Sequence, residues 1–198
     1  MRVIDGLEWC YYRLFRKHDA RGPLSRLLAS LPTDAAILDF GGGDGRITTL
    51  RGDVFWIVAD VDEEALRKVR RGRHIAAVRV ARRPPYPFQD DRFSAVLLVD
   101  VLHHLDSAVD TLAALGRAMT PDARLILVEY DGRRWITRLF QMLVRLDGRR
   151  CTPRTPTMVR GVIEAAGFHV EEKPIDRLRR LYIARSSSAL SEETPKDP

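Results

Sequence analysis

The chain has 198 residues, of which 45% are hydrophobic, 30% charged and 8% aromatic. That balance excludes disorder for its body and suits one globular domain able to bury about 70% of its unfolded surface without staples. No apolar run approaches the ~20 residues of a membrane-spanning helix. The opening Met1-Arg2-Val3-Ile4-Asp5-Gly6-Leu7-Glu8 puts acids where a secretory signal is apolar, so a cytoplasmic protein is expected. Cys10 and Cys151 form no Cys-x-x-Cys pair and are expected to be reduced and structural.

The formal charge of +6 is uneven. Gly132 to Arg185 carries twelve Arg and one Lys against five acids, a net +8, and the rest of the chain is slightly acidic. The small, polar stretch from Ser186 onward (186–198) is expected to be a disordered tail.

In chain order, the pattern predicts helices over about Ile4 to Lys17 and Gly22 to Leu31. Short apolar, β-rich runs follow at Ala36-Ile37-Leu38, Val54 to Val58, Ile75 to Val80, Phe93 to Val99 and Arg124 to Val128. The unbroken Ala95-Val96-Leu97-Leu98-Val99 suits a strand covered on both faces. Helices are predicted between the runs, from Asp62 to Arg71 and from Asp106 to Met119, with Asp62 and Asp106-Ser107 as cap candidates. Strands alternating with helices imply an α/β layered sheet.

Ala36-Ile37-Leu38-Asp39-Phe40-Gly41-Gly42-Gly43-Asp44-Gly45-Arg46 runs from a strand into a glycine cluster and on toward a helix, a local form that lets backbone approach a ligand closely. A dinucleotide fingerprint needs Gly-x-Gly-x-x-Gly. From Gly41 the third position is Arg46, and from Gly43 a third glycine is again missing. Asp39-x-Gly41-x-Gly43-x-Gly45 instead resembles the first motif of the class I S-adenosylmethionine-dependent methyltransferases. Val58-Ala59-Asp60, Pro87-Phe88-Gln89-Asp90-Asp91-Arg92-Phe93, Asp100-Val101-Leu102-His103-His104-Leu105, Met119-Thr120-Pro121-Asp122-Ala123-Arg124-Leu125 and Ala166-Gly167-Phe168 are similar to that family's later motifs, in the same order.

The resemblance implies a Rossmann-like, doubly wound, seven-stranded sheet, mostly parallel with an antiparallel last strand. It implies S-adenosylmethionine as cofactor, with Asp39, Gly41, Gly43 and Gly45 at its methionine end, Asp60 on the ribose and Asp100 at the pocket edge. Two departures stand out: the segment after the third strand, Val80-Ala81-Arg82-Arg83-Pro84-Pro85, lacks the acid that usually binds adenine, and Asp122-Ala123 replaces a glycine pair. Pro84-Pro85-Tyr86 precedes the fourth strand, so it does not match the Pro-Pro-Tyr clamp of nucleic-acid amino-methylating enzymes, which follows it.

Methyl transfer is an in-line displacement that needs alignment and, for some acceptors, a base. His103 and His104, leaving the fourth strand, are the catalytic candidates, since imidazole titrates near neutrality. No metal-ligand spacing appears, and no metal is expected. In a segment expected to be a cover helix, about 133–147, Trp135, Ile136, Leu139, Phe140, Met142, Leu143, Val144 and Leu146 share one broad face, with Thr137, Arg138, Gln141 and Arg145 opposite. By resemblance it covers an acceptor pocket together with N-terminal helices within 1–34, where Trp9, Tyr11, Tyr12 and Phe15 lie, and the methyltransferase domain itself spans 35–185.

The expected function is methyl transfer to a small-molecule or lipid-like acceptor, nearest in look to quinone-biosynthesis C-methyltransferases. Peripheral contact of the basic helix with an anionic membrane is one expectation. The alternatives are a non-catalytic S-adenosylmethionine-binding or partner-binding module and a basic RNA methyltransferase. Sparse aromatics in the basic segment weigh against nucleic acid.

Overall fold

The computed structural model describes residues 20–146, 151–152 and 154–187, without the side chains of 140 and 143–146. The expected helix over about Ile4 to Lys17, with its aromatics and Cys10, lies outside the described residues, as does the segment beyond 187. Helix α1 (Arg21–Ala29) leads into β1 (Ala36–Phe40), a 3-10 turn (Arg46–Leu50), β2 (Phe55–Asp60), the short helix α2 (Glu63–Leu66), β3 (Ile75–Arg79) and β4 (Phe93–Val99). A second 3-10 turn (Leu102–His104), α3 (Ala108–Arg117), β5 (Met119–Tyr130), α4 (Trp135–Leu146), α5 (Pro156–Ala165), β6 (Phe168–Pro174) and β7 (Arg179–Ser186) complete it.

The seven strands are ordered β3-β2-β1-β4-β5-β7-β6. β3, β2, β1, β4 and β5 pair in parallel, and β7 runs antiparallel to both β5 and β6. This is the Rossmann-like sheet that the sequence implied, and β7 takes in Ser186, the first residue assigned to the tail.

Alternation along the strands feeds two cores. Leu38, Phe40, Val96, Leu98, Leu125 and Leu127 pack with Leu112 and Leu115 of α3 and Val159 and Ile163 of α5. On the opposite face Ile37, Trp56, Ala95, Leu97, Ile126 and Val128 pack with Leu24 and Leu28 of α1. Because both faces are covered, the central strands read as continuous apolar runs. The "Pro-Phe" approach to β4 is an aromatic string: Tyr86 lies edge-on to Phe40 at 5.0 Å between ring centroids, and Phe88 to Phe93 at 5.6 Å.

Three elements differ from expectation. α2 stops at Leu66 rather than Arg71, although Asp62 caps it as expected, accepting from the Glu64 and Ala65 N–H groups. Beyond Leu66 the N–H groups of Lys68 and Val69 bond three residues back, a tightened turn, and Arg67, Lys68, Arg70 and Arg71 set like charges at helical spacing. α3 begins at Ala108, with Ser107 in the cap position making no side-chain bond to the helix, and Met119 belongs to β5. The segment after the glycine cluster is a 3-10 turn, because the Thr48 and Thr49 hydroxyls donate to the Gly45 and Arg46 carbonyls and compete with an α-helical ladder.

α1 is tied to the sheet through Arg51, whose guanidinium donates to the Leu28 carbonyl, to the Leu31 carbonyl at 2.7 Å and to the Pro32 carbonyl at 3.2 Å. Leu28 lies in the last turn of α1, and Leu31 and Pro32 follow the helix, so one side chain fastens its carboxyl end. Replacing Arg51 with Ala is expected to lower stability by about 1–3 kcal/mol in urea unfolding, with unchanged circular dichroism of the folded state.

Candidate active site

In chain order the sheet is built outward from β1 to β2 and β3, then restarts at β4 on the other side of β1. The crevice outside the carboxyl ends of β1 and β4 is therefore the place where an open α/β sheet accommodates a ligand. Gly41 after β1 and Val101 after β4 meet there, and a Cβ on Gly41 would fall 2.8 Å from Val101 Cγ1.

The glycine loop is held by its own backbone and by Asp60. The Gly41 N–H donates to the Ala59 carbonyl at 2.7 Å, and the Gly43 N–H donates to Asp60 Oδ2 at 2.9 Å. Asp60 Oδ1 accepts from the Asp62 N–H at 2.9 Å, so one carboxylate at the end of β2 organises both neighbouring loops. Gly41, Gly43 and Gly45 all have positive φ (74°, 54° and 74°), the left-handed region that penalises a side chain.

Their surroundings differ. Gly45 packs on Val69 and Val58, Gly41 on Val101, and Gly43 faces open space, with nothing within 4 Å of a Cβ placed on it. Gly42, which sequence reasoning left out, has the Asp39 carboxyl where its Cβ would stand. Asp39 is buried at the end of β1, and its Oδ2 has no hydrogen-bond partner among the described residues. Burial, with the charges of Asp60 and Asp44, pushes its carboxyl up to about 7.

β4 and β5 supply a second group. Asp100, with φ 58°, is held by its N–H to the Val128 carbonyl at 2.9 Å and leaves a buried Oδ1 without a partner among the described residues. Burial and the charge of Glu129 push it up to about 7, against the pull of His103 and Arg179. Glu129, near the end of β5 and 3% exposed, accepts from the Leu102 N–H at 2.6 Å and bonds His103 Nδ1 at 2.8 Å. The returning chain fastens the same turn from the other side: the Thr152 N–H donates to the His103 carbonyl, and Arg154 Nη1 donates to the Leu102 carbonyl at 2.6 Å.

Burial opposes protonation of His103, but the Glu129 charge and hydrogen bond, with Asp100, outweigh it and raise its pKa. His104 is exposed, its ring 4.1 Å from that of His103. Asp39, Gly41, Gly43, Gly45 and Asp60 thus gather at one end of β1 and β2, and Asp100, His103 and Glu129 at the same end of β4 and β5. Glu129 and Arg154 were missed in the sequence, although a lone acid closing the apolar run Leu125-Ile126-Leu127-Val128 was a usable signal. No group of three or more His, Cys, Asp or Glu among the described residues is arranged to hold a metal ion.

α4 lies within the expected segment of about 133–147. Thr137 and Gln141, placed by the helical projection opposite the apolar face, are 1% and 3% exposed, whereas Trp135, Leu139 and Met142 stand in solvent. The side chains of Phe140, Leu143, Val144, Arg145 and Leu146 lie outside the described residues.

Two predictions follow from these charges. Native Asp39 keeps its proton up to about pH 7, whereas the unfolded chain loses it near pH 4, so the native state binds more protons in that window and stability falls as pH rises through it. A displacement of this size corresponds to about 4 kcal/mol. Asp39→Asn is expected to be more stable than the native protein in urea unfolding at pH 8 and close to it at pH 4. In the second, Glu129→Gln keeps an acceptor for Leu102 and removes the charge, and an NMR titration is expected to show a lower His103 pKa.

A sequence profile described as a methyltransferase domain matches residues 12–173. No curated protein matches the chain. Among solved structures, the S-adenosylmethionine-dependent methyltransferase from Mesorhizobium loti aligns with TM-score 0.68 and 17% identity, over 84% of this chain and 98% of that one. PH0226 protein from Pyrococcus horikoshii aligns at 0.69 and 20%, over 89% and 98%. Human N-acetylserotonin methyltransferase, solved with S-adenosylmethionine, aligns at 0.65 and 18%, over 89% and 58%. At such identities the structures speak for the fold, and the profile, matching well over half of the 198 residues, speaks for the family: the chain belongs to the methyltransferase-domain family.

Proposed function

We propose that the protein transfers a methyl group from S-adenosylmethionine to a small-molecule or lipid-like acceptor, in the manner of the branch that includes quinone-biosynthesis C-methyltransferases. The observation that carries this reading is the loop after β1, where Gly43 faces open space with its N–H fastened to Asp60 beside a buried Asp39 oxygen that has no partner among the described residues. An orphaned carboxylate oxygen fits a ligand ammonium, and each Asp60 oxygen keeps a lone pair for a ribose hydroxyl. When bound, the cofactor supplies an electrophilic methyl group on a sulfonium.

In this reading Asp39 and the Gly41, Gly43 and Gly45 loop hold the methionine end, Asp60 the ribose and Asp100 the pocket edge. Gly41 and Gly45 act by leaving room for Val101, Val58 and Val69, and Gly43 is the point of closest backbone approach. Without an acid after β3, adenine recognition falls to backbone groups around Val80 and Ala81. His103 is the general base: Glu129 fixes the tautomer that carries its proton on Nδ1 and leaves Nε2 to accept a proton from the acceptor. Glu129 is then a positioning residue, and His104 lines the rim.

Calorimetric titration with S-adenosylhomocysteine, with NAD as control, tests the reading. Binding in the ~1–100 µM range by the first ligand alone is expected, weakened at least several-fold in Asp60→Ala with the fold intact. An unchanged Asp60→Ala affinity overturns the ribose assignment, and no binding favours a partner-binding module. Salt-sensitive RNA binding would instead move the acceptor to RNA, the reading that the +8 segment supports.

A further inference from the structure

The described part of α4 turns large apolar side chains outward. Trp135, Leu139 and Met142 fall within about 60° of one another on a helical projection, and they are 73%, 43% and 51% exposed. The polar Thr137 and Gln141 are buried instead, and neither Thr137 Oγ1 nor Gln141 Oε1 has a hydrogen-bond partner among the described residues. Among the described residues two buried polar groups have no partner while three large apolar side chains stay exposed, an unfavourable arrangement on both faces that a partner for the exposed side would relieve.

Arginines flank the exposed face on one side. Arg134 and Arg138 are exposed beside Trp135 and Leu139, Arg138 donating through Nε to the Gly132 carbonyl at 2.8 Å, and the sequence continues through Arg145, Arg149 and Arg150, with Asp147 the one acid between Arg133 and Arg150. α4 follows the carboxyl end of β5, so this face lies at the end of the sheet that bears His103 and Asp60.

We infer that α4 seats the protein on an anionic lipid surface, with Trp135, Leu139 and Met142 entering the boundary between headgroups and acyl chains and Arg134 and Arg138 on the lipid phosphates. Charge selects this occupant. A second copy using the same patch about a two-fold axis would set arginine against arginine, and three side chains on two turns are few for a stable protein interface. A helix with apolar and basic residues on its outer side is the form that binds in the plane of a membrane. No helix among the described residues is long and apolar enough to cross one. The inference goes beyond the methyl-transfer reading and does not depend on it.

The test is co-sedimentation of the full chain with phosphatidylcholine vesicles and with vesicles containing about one third phosphatidylglycerol, at low and high salt. Binding to the anionic vesicles alone is expected, reversed by salt and weakened at least tenfold in Trp135→Ser/Leu139→Ser and in Arg134→Glu/Arg138→Gln. The S-adenosylhomocysteine affinity of each variant is measured in parallel; unchanged values show that the fold is intact and keep this result separate from the cofactor assignment. No binding to anionic vesicles at low salt overturns the inference, as does binding that neither variant weakens. Self-association abolished by Trp135→Ser/Leu139→Ser, without vesicle binding, assigns the face to a second copy.

Discussion

Helices bury both faces of the sheet, and that constraint drives charge to the ends of its strands. A carboxylate in the middle of β1 or β4 would be left without water or a partner on either side. At their carboxyl ends Asp39, Asp60, Asp100 and Glu129 each reach a loop that can use them. Asp60 and Glu129 are satisfied by backbone N–H groups and a histidine, and they shape the loops. Asp39 and Asp100 each keep an oxygen without a partner among the described residues, and burial pushes both carboxyls up to about 7. The first pair shapes the loops at the crevice, and the second pair leaves acceptor oxygens there that the described residues do not use.

The strands were legible because a sheet covered on both faces requires unbroken apolar runs, and Phe93 to Val99 was placed to the residue. The glycine loop was legible because positive φ and close packing leave little choice but glycine. Contacts between distant segments were much less so. Glu129 meets His103 across 26 residues, and Arg154 reaches Leu102 across 52, pairings that no local pattern encodes. Helix ends were also misjudged where side-chain bonds compete with the ladder, as at Thr48 and Thr49, or where like charges accumulate, as after Leu66.

α4 shows a different kind of limit. Its apolar stripe was recognisable from spacing alone, but spacing does not say which side of a helix meets the core. The usual inference is that the apolar side turns inward. Trp135 at 73% exposure, with Thr137 and Gln141 buried, runs against that inference for the described part of the helix.

The placement of β7 between β5 and β6 bears on how the chain is made. β6 is synthesised before β7, the strand that joins it to the rest of the sheet. Until Arg179 to Ser186 has left the ribosome, β5 has an open edge and β6 has no neighbour with which to pair. The five parallel strands can assemble before β7 is made, but the sheet closes only once it is, by a late strand slotting into a gap of the right width. For that interval the nascent protein depends on whatever shields the edge of β5 from other chains.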